Sequence, residues 1–310
     1  MRVVFMGTPD FAVPSLKALV AAGHEVLLVF TRPDAVRGRG RKLVPSPVKA
    51  AATELGLPVF ETARMTPEAK DALRAAAPDV ICVVAYGCIL PDDVLAAAPL
   101  GAVNVHASLL PRWRGAAPIQ RSILAGEEET GVSIMRVAHE LDAGAWCAQA
   151  RVRIGDKGCA ELTADLAEAG SAALVDVLPR LADGTVEWHE QDPAGVTVAA
   201  KVHKDEMLLD PAEPADVNAR RVQASGETAP ARALVAGKGV RVMAARVAAG
   251  DQAAAGLPAP GAVLALKKRV LLGCADGALE VISVKPDGKK EMPVASWASG
   301  LRGDLTWERI

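Results

Sequence analysis

Val3-Val4-Phe5-Met6-Gly7-Thr8-Pro9-Asp10 sets four apolar residues before a glycine and a proline, the mark of a buried strand ending in a tight turn. Residues 11–22 then carry apolar side chains at helical spacing up to Gly23, and residues 25–31 form a second apolar run. A helix-like stretch at 47–55 and a strand-like one at 58–60 continue the alternation. Residues 80–85 and 102–106 add further strands. Strands alternating with helices predict a doubly wound, Rossmann-like α/β domain opening at residue 1. Ligands of such sheets meet the loops beyond the carboxyl ends of the strands, so residues 7–10, 86–91 and 104–111 are expected on one rim.

Farther along, the texture changes. From residue 183 to about 210 the chain is polar and weakly periodic, with Pro211 and Pro214 beyond, and reads as a linker. Residues 239–247, 261–266, 269–274 and 279–284 are short β-type runs between Gly, Asp and Pro turns, the pattern of a small antiparallel, OB-like barrel. The expected organisation is a catalytic domain over 1–184, a linker over 185–205 and a second domain over 206–310. A length of 310 residues accommodates two such domains.

Composition narrows the class. With 51% hydrophobic, 23% charged and only 3% aromatic residues, the chain is globular with an aliphatic interior, neither disordered nor collagen-like. A net charge of −2 excludes a global basic field for nucleic acid, although residues 206–310 hold 14 basic and 12 acidic side chains against 21 and 25 in the first 205. The five cysteines are scattered, with no Cys-x-x-Cys or Cys/His cluster at metal spacing, so no metal is expected and a reducing compartment fits. The N-terminus lacks a signal-peptide pattern, and the longest apolar run, residues 80–90, is too short to span a bilayer. A cytoplasmic monomer with no membrane partner is the expectation.

The chemistry concentrates in Asn104-Val105-His106-Ala107-Ser108-Leu109-Leu110-Pro111-Arg112-Trp113-Arg114-Gly115 and, beyond it, Leu141-Asp142-Ala143-Gly144. Asn104 and His106 share strand parity, so both side chains face one way. An amide donor for an oxyanion, an imidazole for proton transfer and a carboxylate to support it suit acyl transfer. As bare residue types, the same three also fit a purely structural strand end. Cys88 and Cys147 lie near these blocks but have no resident base, and are read as buried thiols. Gly7-Thr8-Pro9 lacks the later glycines of a dinucleotide fingerprint.

The longer strings resemble the folate-dependent formyltransferases, and Leu110 through Arg121 resembles the branch acting on aminoacyl-tRNA. Residues 7–12, 85–91, 131–135 and 141–144 carry the likeness onward, dense to about residue 150 and thinner beyond. The resemblance implies transfer of a formyl group from 10-formyltetrahydrofolate to the methionine amino group of initiator methionyl-tRNA. On it, Asn104 would bind the formyl oxygen, His106 would move protons and Asp142 would orient His106 or a water. Gly87, Cys88, Ile89 and Leu90 would line the pterin pocket by their backbone, and Ser108, Leu109, Leu110 and Pro111 would shape the folate contact.

A second informative stretch runs from Arg32 to Lys49, with six basic residues against one acidic, spaced by glycines. Arg37, Arg39, Arg41 and Lys42 are placed to grip the phosphates of the tRNA acceptor end. Three departures from the family pattern stand out: Ala107 where glycine is common, Ala145 where a polar residue or proline often follows the Asp-x-Gly turn, and Ala224-Ser225-Gly226-Glu227-Thr228-Ala229-Pro230 where an Asn-Pro-Trp-Pro-like segment is typical. The alternative is a formyltransferase for a small amine such as glycinamide ribonucleotide or an amino sugar, which leaves the basic stretch unexplained.

Overall fold

The structure, a computed structural model, describes residues 1–37, 42–249, 256–302 and 305–310. It divides into two compact units, one made of 1–118, 129–153 and 163–199, the other of 119–128, 154–162 and 200–310.

In the first unit the strands are β1 (Arg2–Gly7), β2 (Glu25–Thr31), β3 (Ala35–Arg37), β4 (Lys42–Val44), β5 (Val59–Glu61), β6 (Val80–Val84), β7 (Ala102–His106), β8 (Arg114–Gly115), β9 (Glu129–Arg136), β10 (Trp146–Arg153) and β11 (Val198–Ala199). Seven of them form one sheet in the order β10-β9-β7-β6-β1-β2-β5. The five from β5 to β7 are parallel, while β9 and β10 are added antiparallel. The expected doubly wound arrangement is therefore present, with an antiparallel extension that the alternation alone did not indicate.

Strand order reverses beside β1, with β2 on one side and β6 on the other, and it is beyond the carboxyl ends of strands at such a reversal that ligands of these sheets sit. There Thr8 Oγ1 donates to Tyr86 O at 3.1 Å, drawing the loops after β1 and β6 together. Helix α1 (Val13–Ala21) follows Ala12 with no side-chain cap, whereas α2 (Pro47–Glu54) and α3 (Pro67–Ala76) start after the capping residues Ser46 and Thr66. Ser46 Oγ accepts from Lys49 N at 3.0 Å and is followed by a proline that needs no donor partner.

Most of the main core lies where Val3, Phe5, Val103 and Val105 pack with Leu174, Val177, Leu178 and Leu181 of the 24-residue helix Cys159–Ala182. That helix approaches closely because residue 170 is glycine: a Cβ there would lie 2.6 Å from Val105 Cγ1. With Val103 and Val105 committed to this core, strand alternation turns Asn104 and His106 to the opposite face.

The second unit holds the antiparallel strands Lys238–Val247, Val263–Leu266, Arg269–Gly273 and Ala278–Pro286, close to the four expected runs, with Arg232–Val235 and Trp307–Glu308 at one side. The sheet curls shut: Val263 N donates to Leu305 O at 2.7 Å and Trp307 N to Gly261 O at 2.8 Å. Buried Trp307 plugs this barrel, its Nε1 donating to Gly273 O at 2.9 Å. The segment 224–230 is a tight connection, with Ser225 Oγ accepting from Ala231 N at 3.0 Å.

Candidate active site

β7 forms because Val103 and Val105 alternate with polar residues between two strands that supply ladder partners: Val83 of β6 beside Asn104, and Met135 and Ser133 of β9 opposite Asn104 and His106. His106 is 5% exposed. Its Nε2 lies 3.0 Å from Trp113 O, so the carbonyl accepts an Nε2 proton, and its Nδ1 lies 3.6 Å from Asp142 Oδ2. Burial lowers the imidazole pKa from its ordinary value, against the opposing pull of the Asp142 charge and the Trp113 carbonyl. The neutral ring thus keeps its proton on Nε2 and presents the Nδ1 lone pair toward the carboxylate.

Asp142 stands on the loop between β9 and β10. That loop leaves beside β7, Val137 N donating to Ala102 O at 2.9 Å, and turns back to bring the carboxylate to His106. Asp142 Oδ2 also accepts from Gly115 N at 2.9 Å. Gly115 has φ 121° and a Cβ there would meet Ala199 O at 2.9 Å, so only glycine lets this amide face the carboxylate beside β11. The structure thus brings His106 and Asp142 together and sets Asn104 on the same face, its carboxamide making no hydrogen bond to protein among the described residues.

The loop after β6 follows the same rim. Tyr86 is buried, Gly87 takes φ 76° with its carbonyl held by Arg32 Nη1 at 3.0 Å, Leu90 is buried, and Ile89 is 89% exposed. Among the described residues the amides of Cys88, Ile89 and Leu90 donate to no protein acceptor. Cys88 is half-buried, a correction to the buried thiol expected, because this loop leaves the sheet at the open rim. Cys147 is buried as expected, its thiol pushed up to about 11 by desolvation.

Ser108 and Leu110 are buried, while Leu109 and Pro111 are half-buried. Sequence reading passed over the groups that pin this loop. Ser133 Oγ donates to Ser108 O at 2.7 Å and accepts from Leu110 N at 3.0 Å, and Gln149 Nε2 donates to Leu110 O at 2.9 Å. Their part depends on the pairing of β9 and β10 with β7, which no local pattern carries.

In the basic stretch, Arg37 and Lys42 are paired residues of the β3–β4 hairpin, and Arg39 and Arg41 lie outside the described residues. No group of three His, Cys, Asp or Glu able to hold a metal ion occurs among the described residues, and no helix there is long and apolar enough to cross a membrane.

These features make a candidate group-transfer site on a Rossmann-like sheet, and comparison with known proteins specifies the class. The formyl transferase profile matches residues 1–178, and that of the formyl transferase C-terminal domain matches residues 201–302. The chain belongs to the formyl transferase family, and within it groups with the methionyl-tRNA formyltransferases. It is 46% identical over 294 residues to the methionyl-tRNA formyltransferase of Methylococcus capsulatus, covering 94% of each chain. It is 47% identical over 303 residues to that of Thiobacillus denitrificans, covering 97% of this chain and 96% of the relative. Among solved structures, HypX from Aquifex aeolicus shares the fold at 19% identity with a TM-score of 0.68 over 96% of this chain. The chain spans about half the length of HypX, 48% of it.

Proposed function

We propose that this protein transfers the formyl group of 10-formyltetrahydrofolate to the amino group of methionine on initiator methionyl-tRNA, in the cytoplasm. The observation that carries the reading is the face shared by Asn104 and His106 with Asp142 at 3.6 Å, in a chain similar along nearly its whole length to methionyl-tRNA formyltransferases. The unpaired amides of Cys88 to Leu90 fit the hydrogen-bonding edge of a pterin ring. The folate supplies the formyl group.

Asn104 donates its amide N–H to the formyl oxygen as that oxygen takes up negative charge. His106 accepts at Nδ1, the nitrogen not bonded to Trp113 O, the proton that the attacking amine must lose, and returns it to the nitrogen that departs. Asp142 stabilises the imidazolium in between, holding a negative charge beside Nδ1 without leaving its hydrogen bond from Gly115. The new carbon–nitrogen bond forms to the methionine amine as the bond to the folate nitrogen breaks, so the proton count balances with no metal.

Arg37, Arg39, Arg41 and Lys42 would hold the acceptor end, and the barrel-bearing second domain would dock the rest of the tRNA. The test is incubation of the purified protein with 10-formyltetrahydrofolate and methionyl-tRNA. Formylmethionyl-tRNA and tetrahydrofolate should appear in equal amounts, and absence of the formylated product overturns the reading.

A further inference from the structure

Gln191 lies in the polar stretch that the sequence presents as a linker, yet it is 8% exposed and fully engaged. Its Nε2 donates to both Asp142 O and Gly144 O at 2.8 Å, and its Oε1 accepts from Arg114 Nε at 2.9 Å. These contacts fall on the two segments that meet His106. Asp142, whose carboxylate stands beside Nδ1, has φ 51°, a left-handed conformation that a residue with a Cβ adopts at a cost. Gly144 is pressed against Arg136 O, where a Cβ would come within 2.0 Å. The Gln191 carboxamide bridges the carbonyls on either side of Ala143 and so holds this turn closed.

The other segment is fixed by the same stretch of chain. Trp113 N donates to Thr197 Oγ1 at 2.8 Å, Arg114 N to Thr197 O at 2.9 Å, and β8 pairs with β11. Residues 191–199 therefore touch the Asp142 turn on one side and, on the other, the Trp113 to Gly115 strip that supplies the Nε2 acceptor and the Asp142 amide donor.

We infer that Gln191 is a positioning residue for formyl transfer: it locks the Asp142 turn so that the carboxylate stays aligned on His106. A neutral carboxamide suits the task, because it offers two donors to two carbonyls and one acceptor to Arg114 without adding charge near the pair. Asp142 faces His106 Nδ1 at 3.6 Å, and Arg114, which Gln191 also contacts, has Glu140 at 3.6 Å from its Nη1.

The inference rests on the proposed roles of His106 and Asp142, and its test does not require the acceptor to be correctly identified. The His106 imidazole is titrated by NMR in the wild type, Gln191→Met and Gln191→Leu, with melting temperatures measured alongside. Both substitutions remove the two donors without adding charge near His106, so one folded variant suffices. The expected result is a His106 titration displaced to lower pH, toward that of Asp142→Asn, because a misaligned carboxylate no longer supports the charged ring.

Turnover with the acceptor that the wild type formylates should fall roughly 10- to 100-fold in kcat with KM changed less than about 3-fold. In the Asp142→Asn background the same Gln191 substitution should cost less than about 2-fold. An unmoved His106 titration, or an equal loss in both backgrounds, would overturn the inference and leave Gln191 a general packing residue. Failure of wild type to use methionyl-tRNA would instead strike the acceptor assignment alone.

Discussion

Replacing Asp142 by Asn removes one charge and almost nothing else. The Asn carbonyl oxygen can accept the Gly115 N–H that Oδ2 now takes at 2.9 Å, and the Gln191 bonds run to backbone, so the turn should persist. What disappears is the attraction between the carboxylate and an imidazolium whose Nδ1 is 3.6 Å away. Unit charges about 4 Å apart attract by about 4 kcal/mol at an effective dielectric of ~20, and residual solvent around the carboxylate leaves roughly half of that to act, about 2 to 3 kcal/mol. If proton transfer through His106 limits the rate, kcat should fall roughly 30- to 150-fold. The limb of the kcat profile that reports His106 should move to lower pH, since the Asp142 charge now opposes the lowering caused by burial. KM for both substrates should change little. The assay is single-turnover formylation across a pH series, where product release cannot mask chemistry. An unchanged rate and profile would refute the electrostatic role and reduce Asp142 to a residue that caps the Gly115 amide.

Asn104→Ala should lower kcat by roughly 10² to 10³ while folate affinity, followed by fluorescence, survives, because only the donor to the developing oxyanion is lost. His106 also bears on stability. Its folded pKa lies below the ordinary 6.5, so between those two values the unfolded chain holds a proton that the folded chain lacks. Stability is therefore full above about pH 6.5 and declines as pH falls toward the folded value, and melting temperatures of His106→Gln should show a shallower decline over that window than wild type. Replacing Arg37, Arg39, Arg41 and Lys42 together by alanine should weaken use of methionyl-tRNA and flatten the salt dependence of kcat/KM, with folate binding unaltered. Parallel salt slopes would return the hairpin to a solvated surface.

Much of this molecule was legible where the determinants are local. Residues 3–6 and 25–31 announce strands by apolar continuity, and 47–55 reads as helix-like; the strands are found as read and the helix runs over Pro47–Glu54. Asn104 and His106 could be placed on one face because strand parity is a two-residue rule, and Val103 and Val105, which alternate with them, take the core side. Their partners were not so accessible. Asp142 reaches His106 only through a loop that turns back between two antiparallel strands, and the chain does not announce that those strands extend a parallel sheet. Gln191 was least visible, since the stretch around it is polar and aperiodic. Its order comes from amide contacts to backbone carbonyls far away in sequence, which leave no hydrophobic period.

The reaction proposed for this site is formylation of an aminoacyl-tRNA and not of a free small amine. The most direct measurement is a competition in which purified protein and 10-formyltetrahydrofolate meet methionyl-tRNA and glycinamide ribonucleotide together, with both formylated products quantified. Nearly all product should be formylmethionyl-tRNA, and Asn104→Ala should abolish most of it. Preferential formylation of glycinamide ribonucleotide would contradict the proposed reaction.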